Sequence, residues 1–419
     1  MNKNVEPTKS VRRSDGKNAL VKKNNDTDII KTNDIVRIKG EIDRAFLIIV
    51  IVMICFGSVM VFSASYAYAL ASRGSSYYFI KRQIFFAASG LLLMLVIANF
   101  VDYRFLKKWT KLYFWIVCFL LMLVLVMGSS EGEATRWLYI PGLSFGIQPS
   151  EFMKLGIVLM LAKYFSDYEK HIFNPRKKWN NVIYGLGMPY VIVGFVCVLI
   201  ALEKHFSGII ILFLIGTVVI FTAGGSWKWL AGAGATFGSV VLAAIMLVPY
   251  AKGRIDIWLH PENYSAQAET WQTIQGLNAV GSGGFFGVGL GKSLQKHMFV
   301  SQPQNDFIFA IICEELGFIG AVATIGLFVA FIWRGIVIAQ KAPDAFSKLV
   351  VVGIVSKVAI QAILNMAVVT NSIPNTGISL PFFSYGGSSL LILLAEMGIV
   401  LSISRYSYQK KIRSGPEEL

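Results

Sequence analysis

Apolar residues fall in ten runs along the chain, near 45–65, 79–101, 112–128, 150–166, 182–202, 206–224, 228–250, 307–334, 347–370 and 382–404. Most approach the roughly 20 residues that a helix needs to cross about 30 Å of hydrocarbon. The expected fold is therefore all-α, a polytopic bundle of about ten membrane helices. The run at 150–166 is interrupted by Lys154 and Lys163. Between the runs, polar stretches alternate in character. Some are short and basic, and others are long and rich in Gly, Pro and aromatic residues.

The basic stretches predict orientation. Residues 1–44 hold eleven Lys/Arg against seven Asp/Glu, and the chain as a whole is +15. Arg104, Lys107, Lys108 and Lys111 follow the second run. Arg176, Lys177 and Lys178 follow the fourth, and Lys228 the sixth. Arg334, Lys341 and Lys348 follow the eighth, and Arg405, Lys410, Lys411 and Arg413 close the chain. All these clusters share one side, so the positive-inside rule puts both termini in the cytoplasm. The charge is then a topology signal, with no concentrated basic face of the kind nucleic acid requires. Composition agrees, at 55% hydrophobic and 15% charged residues, where soluble domains hold about a quarter charged. Residues 1–44 read as a polar, disordered cytoplasmic tail, 45–405 as the membrane domain and 406–419 as a second cytoplasmic tail. The first run reads as a signal anchor, because the charged segment before it is too long for a cleaved leader. Cys55, Cys118, Cys197 and Cys313 lie apart inside apolar runs, with neither CxxC spacing nor a disulfide framework. The four histidines are scattered, so no metal-ligand set is expected.

With the ends inside, the outward segments are 129–149, the turn at Glu203-Lys204-His205, the long loop 251–305 and the turn 371–381. Function concentrates on such loops. In the first, Trp137 and Tyr139 fit an interfacial belt, and Ser150 fits a helix cap. Lys154 fits either a snorkelling charge or a functional cation about one turn below the surface. The long loop carries Gly283-Gly284-Phe285-Phe286-Gly287-Val288-Gly289-Leu290-Gly291-Lys292-Ser293. It is not a phosphate-binding GxxxxGK[ST] loop, which would need glycine where Phe286 stands. It reads as a Gly-hinged cap, in which Arg254, Lys292 and Lys296 are either phosphate contacts or solvated charges. The loop ends on Asn305-Asp306, where an apolar run begins. Asp306 fits a helix N-cap and fits equally a general base kept ionised by the helix dipole. Within that run Glu314 and Glu315, like Glu396 in the last run, are expected to pair with a base or line a polar cavity.

Four segments together carry a resemblance: Arg136-Trp137 with Gln148-Pro149-Ser150-Glu151-x-x-Lys154; the Gly287–Lys296 run; Asn305-Asp306-Phe307-Ile308-Phe309-Ala310 with Glu314-Glu315-Leu316-Gly317; and Pro374–Ser389. In this order, over about 45–405, they resemble the SEDS family of FtsW, RodA and SpoVE, with the Gly287–Lys296 spacing nearer FtsW and SpoVE. The resemblance implies a ten-span peptidoglycan glycosyltransferase that polymerises lipid II on the extracytoplasmic face for division or sporulation. It implies a class B penicillin-binding protein, a single-span transpeptidase, as partner, alongside other division proteins and membrane lipid. It implies Asp306 as the essential acid, with Arg136, Trp137 and Lys154 around the cavity. Arg82-Gln83, at the start of the second run, resembles the family's basic-Gln pair, a candidate lipid phosphate contact. Two departures stand out. The family's PEAHTD is Ser301-Gln302-Pro303-Gln304-Asn305-Asp306 here, and its QPDLG is Glu203-Lys204-His205-Phe206-Ser207. No cofactor is implied firmly, and a divalent cation remains an option. Diphosphate is a good leaving group, so one base and surrounding cations match the chemistry, in contrast to glycoside hydrolysis with its second, acidic carboxyl. A lipid II flippase and a non-catalytic scaffold are the competing functions.

Overall fold

The computed structural model describes residues 30–32, 35–37, 40–131, 134–139, 146–172, 178–247, 249–260, 263, 268–407 and 409–411. The N-terminal tail before residue 30, Arg176, Lys177 and Arg413 lie outside them.

Helices follow the apolar runs. The first three are α1 (Arg44–Arg73), α2 (Tyr78–Phe100) and α3 (Tyr103–Met127). A small antiparallel sheet comes next, of β3 (Ser129–Glu131), β4 (Ala134–Tyr139) and β5 (Gly146–Ile147). It is followed by α4 (Pro149–Ile172), α5 (Lys178–Val182), a π-helical turn over Ile183–Gly187 and α6 (Met188–Leu202). Then come α7 (Phe206–Thr222) and α8 (Trp227–Leu247). The long loop is largely helical, with α9 (Pro249–Leu259) and α10 (Ala268–Ser282). The chain finishes on α11 (Ile308–Gln340), α12 (Ala345–Val369) and α13 (Gly387–Ser404). Ile30–Thr32 (β1) and Ile35–Arg37 (β2) pair with each other, and β2 pairs with Gln409–Lys411 (β6), tying the two tails together.

Among the described residues, seven helices are long and apolar enough to cross a membrane, and α7 is a shorter apolar one. Helices α1 and α11 run about a turn or more past the expected ends, because helix continues where apolar character stops. Large apolar side chains stand exposed on the flanks, among them Phe85, Trp115 and Val191. A soluble monomer rarely leaves so much apolar surface open, and the molecule is a multi-pass membrane protein.

Ion pairs fix one end of the bundle. Asp43, the α1 N-cap, accepts Arg334 Nη2 at 2.8 Å and Nε at 2.9 Å. Lys107 reaches Ser166 at 2.7 Å and Asp167 at 3.5 Å, joining the start of α3 to the end of α4. The β1–β2–β6 sheet lies at this same end, beside Gly40, whose N–H donates to Arg405 O at 2.8 Å. The candidate chemistry lies at the other.

There, the Gly-rich run has a definite seat. Gly317 breaks α11 with φ +64°, a conformation costly for other residues. The freed backbone pairs with the run: Val288 N–H donates to Glu314 O at 2.9 Å, Gly289 N–H to Glu315 O at 3.0 Å, and Phe318 N–H to Gly284 O at 2.9 Å. A Cβ at Gly283 would stand 1.9 Å from Cys313 O, so only glycine fits that approach.

Candidate functional site

Asp306 sits half-buried just before α11. The helix N-cap is Phe307, without a side-chain cap bond, so neither Asn305 nor Asp306 caps it as one sequence reading expected. The carboxylate instead takes the N–H groups of Asp306 itself and of Phe307. It stays in place because its backbone is clamped. Asn365 Nδ2, on α12, donates to Asp306 O and to Ile378 O, both at 2.7 Å. Ser384 Oγ donates to Asn305 O at 2.6 Å, and Tyr385 N–H to Gln304 O at 2.8 Å. The 374–389 segment thus wraps the 302–306 loop, and a Cβ at Gly377 would lie 3.9 Å from Asp306 Oδ2. Burial pushes the Asp306 carboxyl up to about 6, with Arg254 and the two N–H groups pulling the other way.

Several segments meet the 374–389 segment that wraps this loop. Arg254, on α9, donates from Nη1 to Asn375 O at 2.8 Å. Ser207, starting α7, donates to Thr376 O at 2.6 Å. Arg82 stacks 4.9 Å from the centre of the Tyr78 ring and hydrogen-bonds Tyr385. Trp137 lies against Gly146 of β5, whose carbonyl accepts Ser388 Oγ at 3.1 Å, so the small sheet docks on the start of α13. The side chain of Arg136 lies outside the described residues, though its backbone is part of β4.

Several candidates behave differently. Lys154 is buried and pairs with Glu151 at 2.5 Å, so it does not snorkel out. Ser150 is buried with its hydroxyl unpartnered among the described residues, and the helix it was expected to cap begins at Pro149. Gln83 is buried in α2, and its amide makes no hydrogen bond among the described residues. Lys292 is exposed.

Lys296 is fully buried and pairs with Glu315 at 2.7 Å, while Ser63 Oγ donates to the same carboxylate at 2.5 Å. Its ammonium lies 4.7 Å from the Tyr66 ring centre. A phosphate contact would require breaking that pair, so Lys296 locks the Gly-rich run to α1 and α11. Glu314 accepts the Ser293 hydroxyl and Leu294 N–H, the latter at 2.8 Å. Both acids of the Glu-Glu pair are thereby matched, as buried charges must be.

Sequence reading missed Lys357, which pairs with both oxygens of Glu396 at 2.7 Å. Lys357 and Glu151 line one small cavity with Ser384 and Tyr385, below the Asp306 loop. A lysine inside an apolar run was the available signal. Asn365 was missed too, its amide being ordinary in sequence. Among the described residues, no group of three or more His, Cys, Asp or Glu could hold a metal ion.

Comparison places this architecture among known proteins. The chain is 41% identical to stage V sporulation protein E of Bacillus subtilis over 369 residues, 87% of this chain and 97% of the relative. It is 36% identical to a probable peptidoglycan glycosyltransferase FtsW of Trichlorobacter lovleyi, over 87% of this chain and 93% of the relative. Among solved structures it resembles a chain of a peptidoglycan synthase complex that coordinates polymerization and crosslinking, with a TM-score of 0.72 and 26% identity. That match covers 88% of this chain and 99% of the other. The rod shape determining protein RodA of Thermus thermophilus matches with a TM-score of 0.64 at 26% identity, covering 88% of this chain and 98% of the other. Residues 43–409 match the cell cycle protein family of FtsW, RodA and SpoVE, and the chain belongs to that family.

Proposed function

We propose that the chain is a peptidoglycan glycosyltransferase that polymerises lipid II, with Asp306 as the general base. The observation that carries this is the Asp306 carboxylate, carried on a clamped backbone beside Arg254 where α2, α7, α9 and the 374–389 segment meet. Asp306 takes the proton of the acceptor sugar hydroxyl as that oxygen attacks the donor's anomeric carbon. The bond from that carbon to the diphosphate breaks, and polyprenyl diphosphate leaves with the electron pair. A single displacement of this kind inverts the anomeric centre, turning an α-linked donor into a β-linked strand. Arg254 faces Asp306 and Arg82 hydrogen-bonds Tyr385, and with Arg136 they would stabilise the departing charge. Lys154 acts through Glu151, and Trp137 borders the cavity. Lys292, exposed on the Gly-rich run, would meet lipid headgroups. A class B penicillin-binding protein would carry out crosslinking on the strand made here. The relatives' names and the likeness to a synthase complex support both assignments.

The bundle spans the membrane ten times in this reading, α4, α7 and α8 joining the seven long apolar helices. Its basic end, with Arg104, Lys107 and Lys341, is cytoplasmic, and the Asp306 end is extracytoplasmic. In a cysteine-free background, a Lys292→Cys protein should react with an impermeant thiol reagent added outside intact cells. Labelling only after permeabilisation would reverse the orientation.

A second test addresses the base. The proton must be absent from Asp306 for it to accept another, so kcat/KM should rise with pH through about 6 and level off above. A limb near 4, where an unperturbed carboxyl titrates, would mean Asp306 is not desolvated. No limb between 4 and 8 would remove it from the rate-determining chemistry.

A further inference from the structure

A cavity of about 70 Å³ lies between α9, α10 and the turn that follows α12. Ile257, Ile274 and Leu277 form its apolar side, and Arg254, Thr270 and Asn371 are among its polar lining. A water needs roughly 10–15 Å³ of such space, so the cavity holds a small group of a few heavy atoms and not a whole sugar ring. Thr270 is only 1% exposed, and its hydroxyl has no partner among the described residues. An unpaired buried hydroxyl is costly, and one lining a cavity is available to a polar group bound there. Trp258 is fixed in the wall, its Nε1 donating to Asn371 O at 2.9 Å.

The cavity adjoins the proposed base. Asn375 lines it, accepts Arg254 on its carbonyl, and accepts Gly377 N–H on Oδ1 at 3.2 Å. Gly377 is the residue against Asp306 Oδ2. Two residues of chain reach at most about 7 Å, roughly the span of one pyranose ring with a substituent. A sugar whose hydroxyl meets Asp306 therefore can place a substituent from its far side in the cavity.

We propose that this cavity is an acetamido subsite for the acceptor strand. An acetamido group has a methyl to set against Ile257, Ile274 and Leu277, and an amide to pair with the Thr270 hydroxyl and the polar rim. A phosphate in this cavity would lie against three aliphatic side chains, which disfavours it. The proposal rests on Asp306 marking the acceptor hydroxyl.

The test needs no turnover. Purified full-length protein is titrated with chitotriose, which carries acetamido groups, and with cellotriose, which carries hydroxyls instead, by saturation-transfer NMR. Chitotriose should bind at least tenfold tighter, with its acetyl methyl protons receiving the strongest saturation. Thr270→Val, matched in shape but lacking the hydroxyl, should weaken chitotriose about tenfold, and Thr270→Ser should restore it. Equal binding of the two sugars, no binding of either, or unchanged binding by Thr270→Val would overturn the subsite. Those results would leave the role of Asp306 standing, and an active Asp306→Asn protein would leave the sugar binding standing, so the two failures are distinguishable.

Discussion

Asp306→Asn should lower lipid II polymerisation by roughly a hundredfold or more, the scale of losing general-base catalysis. The amide keeps the size and shape of the carboxyl but cannot take the acceptor's proton. Folding should survive. Asn365, Ser384 and Tyr385 hold the backbone of this loop, not the Asp306 side chain. The substitution also removes a charge that burial opposes. The folded carboxyl titrates at about 6, above its unfolded value, so its contribution to stability is present at low pH and lost as pH rises through 6. At neutral pH the Asn protein should therefore unfold at the same temperature as wild type or slightly higher. Strand synthesis near the wild-type rate by a folded Asp306→Asn protein would take the carboxylate out of the chemistry.

Lys296→Met should be the most destabilising single change described. It strands Glu315 in a site with no solvent exposure, where, among the described residues, Ser63 and the Ser293 N–H remain to it. Removing one member of a buried ion pair typically costs about 3–5 kcal/mol. The thermal midpoint in detergent should fall sharply. Adding Glu315→Gln should recover much of the loss, since the uncompensated charge goes with it. A single mutant as stable as wild type would show that the pair is not desolvated, and would reopen Lys296 as a ligand for phosphate.

How much of this was legible in the sequence depends on the range of the interaction. Helices α2, α12 and α13 follow directly from apolar runs, because length and composition decide whether a segment crosses hydrocarbon. Lys154 looked like an interruption until its partner three residues back was seen, and an i,i+3 pair is a local feature that sequence can suggest. Lys357 and Glu396 are 39 residues apart, and no local pattern announces their contact. The Gly-rich run showed its need for unusual backbone, but not that its partner would be a break at Gly317 of α11. Lys296 illustrates the same limit. Its charge was readable, while the Glu315 that neutralises it lies across a fold that packs the run against two helices. Asp306 was readable as a carboxylate at a helix start, and the Asn365 amide that clamps its carbonyl was not.

On the proposed function, this bundle makes glycan strands itself. The direct measurement supplies purified protein, with the proposed class B penicillin-binding protein, with fluorescent lipid II in detergent and in vesicles. Wild type should convert lipid II to long strands that a β-specific muramidase digests, and Asp306→Asn should leave lipid II unconverted while still binding the partner. Transfer of lipid II between vesicle leaflets with no polymer in either setting would refute the polymerase function and make the protein a lipid transporter.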